Sequence, residues 1–135
     1  MNAKLLIVGM ILFGLALANM SCSKNEGPGG NSTIVGKIWV KNYNAELTNL
    51  LGEFWAEEED VYIMYGNDTI PSDDVKTGYN GAYWFKYLQE GEYTIYAMSK
   101  DTTLMSPSGK FPVKTKVSIS DNGETVEVPT ITIVR

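Results

Sequence analysis

The sequence contains no histidine and only one cysteine, Cys22, among its 135 residues. Catalytic triads that use imidazole cannot form without histidine, and a zinc site built on imidazole or several thiolates lacks its ligands. A pair of carboxylates could still hydrolyse glycosides, but a domain of about 100 residues offers little cleft in which to desolvate one acid and raise its pKa. We therefore expect a protein that is not an enzyme and that needs no cofactor.

Positive charge is also scarce, because 11 lysine and arginine residues face 16 acidic residues, for a net charge of −5. Binding to nucleic acid depends on a concentration of positive charge along the phosphate backbone. Nucleic acid is therefore not an expected partner.

The N-terminal segment has the pattern of a targeting signal. Residues 5–18 are apolar or glycine and follow Lys4. The alternative interpretation is a membrane-spanning helix, but this run is shorter than the ~20 residues that such a helix needs. Cys22 follows after three further residues, and residues 23–30 are polar and rich in glycine. This arrangement resembles a bacterial lipoprotein, in which a peptidase cuts before the cysteine that carries the lipid. The residues just before the cysteine fit less well, since Asn19 and Met20 are atypical and Ser21 alone matches. The resemblance implies a signal peptide at 1–21, a lipidated flexible linker at 22–32 and a folded domain at 33–135.

Beyond the linker, apolar residues alternate with polar ones, and this period of two predicts extended strands with one buried face. The predicted inward rows are Ile34, Ile38 and Val40; Val61, Ile63 and Tyr65; Tyr83 and Phe85; Tyr93, Ile95 and Ala97; and Phe111, Val113, Thr115, Val117 and Ile119. Several such strands predict an all-β sandwich.

Turns and breaks divide these strands. The pairs Asn80-Gly81 and Asn122-Gly123 favour tight turns, and the change of apolar parity across Pro129 predicts a break in the final strand. One segment departs from the β pattern, because Leu47, Leu50, Leu51, Phe54 and Trp55 follow helical spacing. We therefore expect a short helical insertion near 46–55.

Residues 77–88 read TGYNGAYWFKYL and residues 90–97 read EGEYTIYA. This pattern resembles carboxypeptidase-regulatory-like domains, which share a transthyretin-like (prealbumin-like) sandwich with the B-type repeats of Gram-positive surface proteins. The resemblance implies a single antiparallel sandwich of seven strands and no particular ligand site. It also implies where the internal isopeptide bond of the B-type repeats would form. Lys41 could supply the amine, but Ala97 stands where the acid is needed and residues 126–135 contain no asparagine, so we expect no such bond.

Apolar residues on the outward side of the predicted strands are the best candidates for a binding patch, because a solvated sheet face is normally polar. The outward residues are Trp39, Tyr62, Met64, Trp84, Tyr96 and Met98. Such aromatic side chains suit sugar stacking or a protein contact. Two alternatives remain open: the 47–55 segment covers some of these rows, or the inward and outward assignments are exchanged.

Acidic residues give a weak calcium candidate, since calcium prefers oxygen ligands. The carboxylates are Asp60, Asp68, Asp73 and Asp74. The alternative interpretation is that they belong to solvated loops and bind no metal. No other metal site is expected.

Two kinds of short motif concern covalent modification and subcellular localisation. Residues 68–70 and 101–103 resemble the motif that Bacteroidetes O-glycosylate on exported proteins, which makes Thr69 and Thr102 candidates. Residues 23–26 resemble, with only one acid, the tag that sends some lipoproteins of that phylum to the outer face. The sequence thus indicates an exported outer-membrane lipoprotein and favours neither the periplasmic nor the surface-facing side.

The leading functional hypothesis is a non-catalytic, lipid-anchored envelope domain that acts in binding or structural assembly. Its partners would be the membrane, through the lipid, and an unidentified protein or glycan. One alternative is a carbohydrate-binding accessory of a polysaccharide-uptake system. The other is an inhibitor or stress protein that acts on a periplasmic enzyme and would use a loop-centred interface.

Overall fold

Nine strands make up residues 25–135, the part of the chain that this computed structural model describes; the predicted signal peptide and Cys22 lie outside it. In chain order they are β1 (Pro28–Tyr43), β2 (Leu50–Trp55), β3 (Asp60–Tyr65), β4 (Asp73–Lys76), β5 (Ala82–Leu88), β6 (Gly91–Lys100), β7 (Lys110–Ile119), β8 (Thr125–Glu127) and β9 (Ile131–Val134). They form a five-stranded and a four-stranded sheet. The predicted all-β sandwich is confirmed, with nine strands where seven were expected.

The five-stranded sheet, sheet 1, is built around β1. Strands β5 and β2 pair antiparallel with the first and second parts of β1, and β8 and β9 pair parallel with the same two parts. The break predicted at Pro129 is present, since it separates β8 from β9. The parallel pairing corrects the expectation of a purely antiparallel sandwich. It arises because the chain crosses over from sheet 2 before it joins β1.

The four-stranded sheet, sheet 2, has the order β4-β3-β6-β7 and is antiparallel throughout. Its inner side packs against that of sheet 1, and the predicted inward rows supply most of the core. The fully or nearly fully buried apolar residues include Ile34, Ile38, Val40, Val61, Ile63, Tyr83, Phe85, Tyr93, Ile95, Ala97, Val117, Ile119, Val128, Ile131 and Ile133. Phe111 differs from its prediction and is 38% exposed, because it lies at the end of the sheet near the start of β7.

The helix predicted near 46–55 is wrong, because residues 50–55 form β2 along β1. Asn44 instead directs a tight turn, in which its Oδ1 accepts hydrogen bonds from the backbone amides of Thr48 and Asn49, each at 2.8 Å. Leu47 adopts a φ of 59°, which a continuous helix does not allow. Within residues 25–135, no helix has the length and apolar character needed to cross a membrane.

Both Asn-Gly turns have glycine at positive φ, 73° at Gly81 and 84° at Gly123. Neither connects two paired strands. The first carries the chain from β4 in sheet 2 to β5 in sheet 1, and the second from β7 in sheet 2 to β8 in sheet 1. These turns therefore close the sandwich instead of forming hairpins.

The predicted linker overlaps the sandwich. Gly27 is buried, its amide donates to the Tyr93 hydroxyl at 2.9 Å, and its carbonyl accepts from the amide of Gln89 at 2.9 Å. β1 then begins at Pro28, five residues before the expected start of the domain. We call the end of the sandwich where β1 begins the anchor end, because it is the end nearer to Cys22 in the sequence. We call the opposite end, where β1 finishes at Tyr43, the far end. At about 3.3 Å per residue, β1 spans at most about 50 Å between the two ends.

Candidate functional site

The six outward residues predicted as one patch lie on opposite sides of the sandwich. Trp39 and Trp84 stand on the outer side of sheet 1, whereas Tyr62, Met64, Tyr96 and Met98 stand on the outer side of sheet 2. A single continuous patch of all six is therefore not formed, and each side has to be considered separately.

The outer side of sheet 1 carries all three tryptophans of the chain. Trp39 on β1 pairs with Trp55 on β2, and their rings meet edge to face with centroids 4.7 Å apart. Trp39 also donates its indole N–H to Glu53 at 3.3 Å. Trp84 on β5 pairs with Val35, four residues earlier along β1, which places it about 13 Å from the Trp39–Trp55 row.

Two lysines complete this surface. Lys37 lies on β1 between the two tryptophan rows, and its Nζ is 4.8 Å from the centroid of the Trp55 ring. Lys86 Nζ is 5.5 Å from the centroid of Trp84. An exposed cation–π contact of this kind contributes about 0.5–1 kcal/mol, so a ligand can displace it at small cost.

We call this surface, made of Trp39, Trp55, Trp84, Lys37 and Lys86, the tryptophan face. Trp84 is 52% exposed and Trp55 is 38% exposed. Ala82 pairs with Lys37 between the two rows, and its small side chain leaves the space between Trp84 and Trp55 open. The tryptophan face therefore presents large aromatic rings and positive charge on an open, rigid sheet.

Sequence reasoning missed three members of this face. Trp55 was assigned to the helical insertion, although the glycine at position 52 and the adjacent pair Phe54-Trp55 are features that favour a strand over a helix. No feature of the sequence singles out Lys37 or Lys86. Their contact with tryptophan depends on strand register, which the pattern of a single strand does not contain.

The outer side of sheet 2 is less open. Tyr62 and Tyr96 pair across β3 and β6, and their rings stack with centroids 5.0 Å apart. Tyr96 and Met64 are buried, and burial raises the pKa of both Tyr62 and Tyr96. Lys114 Nζ lies 6.0 Å from the Tyr96 ring centroid. The two rings already use one face each on the other, so less aromatic surface remains for a ligand.

The four carboxylates of the calcium candidate do not converge. Asp60 accepts a hydrogen bond from Lys76 Nζ at 2.7 Å, Asp68 from the Ser72 hydroxyl at 3.2 Å, and Asp73 from the amide of Asp74 at 2.9 Å. The Asp60 contact raises the pKa of Lys76. In the part of the chain that the structure describes, no cluster of three or more acidic or thiol side chains could hold a metal ion. The calcium candidate is corrected accordingly, because these side chains are spread along two strands and a turn.

The β6–β7 loop at the far end is organised by Asp101. Its carboxylate accepts the amide of Thr103 at 2.8 Å, the hydroxyl of Thr103 at 2.6 Å and the amide of Ser106 at 2.6 Å. These hydrogen bonds, led by the one from the Thr103 side chain, lower its pKa to about 2. The loop holds Leu104 and Met105 in solvent, 87% and 84% exposed.

The two glycosylation candidates are both exposed but far apart. Thr102 lies in the far-end loop beside Asp101, and Thr69 lies in the β3–β4 connection toward the anchor end. Both are sterically accessible to a modifying enzyme, and their modification stays a prediction.

A scan against protein-family models gives no match, and neither does a search of curated proteins. Among solved structures, a Pseudomonas aeruginosa protein described as a candidate carbohydrate-binding protein has a similar arrangement. The two chains share 14% identity and a TM-score of 0.49, over 84% of this chain and 92% of the other. At this distance, nothing about the ligand of this chain follows from the similarity.

Proposed function

We propose that this chain is a non-catalytic binding domain, held at the outer membrane by lipid on Cys22, and that it binds through the tryptophan face. The observation that carries the proposal is the placement of every tryptophan on one outer sheet face, with two of them more than one-third exposed. A ligand that covers an exposed tryptophan removes apolar ring surface from water, which favours binding. Tryptophan is also enriched among the residues that dominate binding energy.

Rigidity favours binding at this surface. Its residues lie on β1, β2 and β5, whose register is fixed by ladders. The inner sides of β1 and β5 are buried, and β2 is held by its pairing with β1. A ligand therefore meets side chains that are already ordered, so less conformational entropy is lost on binding than at a mobile loop.

Carbohydrate is the ligand class that the tryptophan face favours over a protein partner. Indole rings offer flat apolar surfaces to the C–H groups of sugar rings, and the open sheet can follow an extended chain. This reading corresponds to a carbohydrate-binding accessory of a polysaccharide-uptake system. The rings of Trp39 and Trp55 stand at 77° to each other, so a sugar chain would stack on Trp55 and Trp84 and contact Trp39 at its edge.

Membrane attachment is tested with Cys22→Ser in the full chain. We expect the variant to fold and to leave the membrane fraction, whereas the unsubstituted protein remains there after an alkaline wash. A variant that stays membrane-bound, although mass spectrometry shows that residues 1–21 are absent from it, would exclude lipid on Cys22 as the anchor.

Binding is tested by co-sedimentation of the Cys22→Ser protein with washed envelope fragments. In that background we expect the double substitution Trp55→Ala and Trp84→Ala to lower the affinity at least about tenfold, since each residue of this type commonly contributes more than 1 kcal/mol. The matched control is Leu104→Ala with Met105→Ala, which removes from the far-end loop apolar side chains that are even more exposed than the two tryptophans. Loss of binding in the loop variant alone would move the interface to the loop and favour the inhibitor hypothesis.

A further inference from the structure

The lysines of the tryptophan face stand out in an acidic chain. Among the charged side chains on this side of sheet 1, Lys41 and Glu53 neutralise each other at 3.8 Å, and the exposed Glu127 lies on β8, separated from Trp84 by Val35 of β1. Within residues 25–135, neither Lys37 nor Lys86 has a carboxylate within ion-pair distance, and each ammonium group contacts a tryptophan ring instead. Two unpaired positive charges thus lie beside two exposed tryptophans, on a protein whose net charge is −5.

From this pairing we infer that the ligand of the tryptophan face is an acidic polysaccharide. Its sugar rings would stack on Trp55 and Trp84, and its carboxylate or sulfate groups would pair with Lys37 and Lys86. The inference rests on the proposed function and narrows its ligand class.

The positions of the lysines decide between a neutral and an acidic sugar. Each ammonium group lies against the ring on which a sugar would stack, at 4.8 Å for Trp55 and 5.5 Å for Trp84. A neutral sugar has to move the ammonium aside and gives it no charged partner in return. An acidic sugar accepts the displaced ammonium in a charge-assisted hydrogen bond, which is stronger than the exposed cation–π contact that it replaces.

The spacing along the sheet supports an extended ligand with repeating charge. Lys86 lies two residues beyond Trp84 on β5, and Lys37 lies two residues before Trp39 on β1. Charge and ring therefore alternate along the face in the order Lys86, Trp84, Lys37, Trp55, over about 20 Å. Single-stranded nucleic acid also binds to protein surfaces through aromatic rings and cations, but it carries a negative charge on every nucleotide. A domain with a net negative charge and two free lysines neutralises few of these charges.

The test compares polysaccharides that differ only in charge, using affinity electrophoresis of the full-length Cys22→Ser protein. The first pair is polygalacturonate and its methyl ester, and the second is dextran sulfate and dextran. We expect binding to at least one charged member, at least about tenfold weaker binding to its neutral counterpart, and weakening by added salt. Lys37→Gln with Lys86→Gln should lower the affinity for the charged member about tenfold or more.

The control variant is Lys114→Gln with Lys116→Gln, which removes the same charge from the outer side of sheet 2 and should leave binding unchanged. Equal binding to charged and neutral members, abolished by Trp55→Ala with Trp84→Ala, would overturn the acidic ligand and leave the proposed function standing. Failure to bind any of the four polysaccharides would also overturn it, and the envelope co-sedimentation then decides the proposed function separately. Equally tight binding to an oligothymidylate would overturn it in favour of general polyanion binding.

Discussion

The buried hydroxyl of Tyr83 provides the sharpest test of how the sandwich is packed. Tyr83 is 1% exposed, and its hydroxyl has no hydrogen-bond partner among the described residues. It lies against Gly36 on β1, where an added Cβ would stand 2.4 Å from the hydroxyl oxygen and 2.7 Å from Cζ. The absence of a side chain at Gly36 is therefore what makes room for the Tyr83 ring.

The substitutions Tyr83→Phe and Gly36→Ala should change the stability of the domain in opposite directions. A buried hydroxyl without a partner costs about 1–3 kcal/mol, so Tyr83→Phe should stabilise the domain by about 1 kcal/mol after the lost packing of the oxygen is subtracted. Gly36→Ala should destabilise it by about 1–3 kcal/mol through overpacking. In the Tyr83→Phe background, the Gly36→Ala penalty should fall by about 1 kcal/mol, because the closest atom is gone while Cζ remains too near.

Urea unfolding of the Cys22→Ser protein measures these effects as shifts of the midpoint at constant slope. Tyr87→Phe, at a residue 69% exposed, is the control and should stay within about 0.5 kcal/mol of the parent. Burial raises the pKa of Tyr83, so the folded state keeps the phenol neutral while the unfolded state ionises above its ordinary value of 10.0. The advantage of Tyr83→Phe should consequently grow above about pH 10. Destabilisation by Tyr83→Phe at pH 7 would show that the hydroxyl has a bonding partner and refute this account of the core.

Three further predictions concern particular contacts. Tyr93→Phe should destabilise the domain by about 1 kcal/mol in urea unfolding and speed proteolysis at the anchor end, because the buried amide of Gly27 loses its acceptor. Asp101 has a lowered pKa, so its support of the far-end loop should be complete above about pH 4 and be lost as pH falls toward 2. Cleavage of the loop by pepsin should increase as the pH falls through this range, and the increase should be smaller in Asp101→Asn. Thr77→Val should cost about 1–3 kcal/mol in unfolding, because the Thr77 hydroxyl donates to the Ala56 carbonyl at 2.6 Å, and Thr77→Ser should retain most of the stability.

The sequence was most informative where burial imposes a strict period. Alternation identified the inner rows of β3, β5 and β6, because a strand with one buried face has to place apolar side chains at every second position. The same logic located the break at Pro129. It could not show that β8 and β9 pair parallel with β1, since partner choice depends on where the chain crosses between sheets.

The errors have local physical causes. The spacing of leucine and aromatic residues over 47–55 matched a helix by coincidence, and the Asn44 turn together with pairing to β1 decided for a strand. The glycine-rich segment before residue 33 was expected to be free, but backbone hydrogen bonds at Gly27 hold it against β6 and the β5–β6 turn. The candidate site was predicted only in part, because Trp55 joins Trp39 through a pairing that no single-strand pattern reveals.

The most direct test of the central claim is whether the tryptophan face is covered when the protein is in the envelope. Hydroxyl-radical footprinting can compare the protein on intact envelopes with the purified Cys22→Ser protein, and Met105, 84% exposed at the far end, serves as an internal reference. We predict that oxidation of Trp55 and Trp84 falls several-fold relative to Met105 on the envelope. Unchanged oxidation of both tryptophans, or protection centred on Met105, would contradict binding through the tryptophan face.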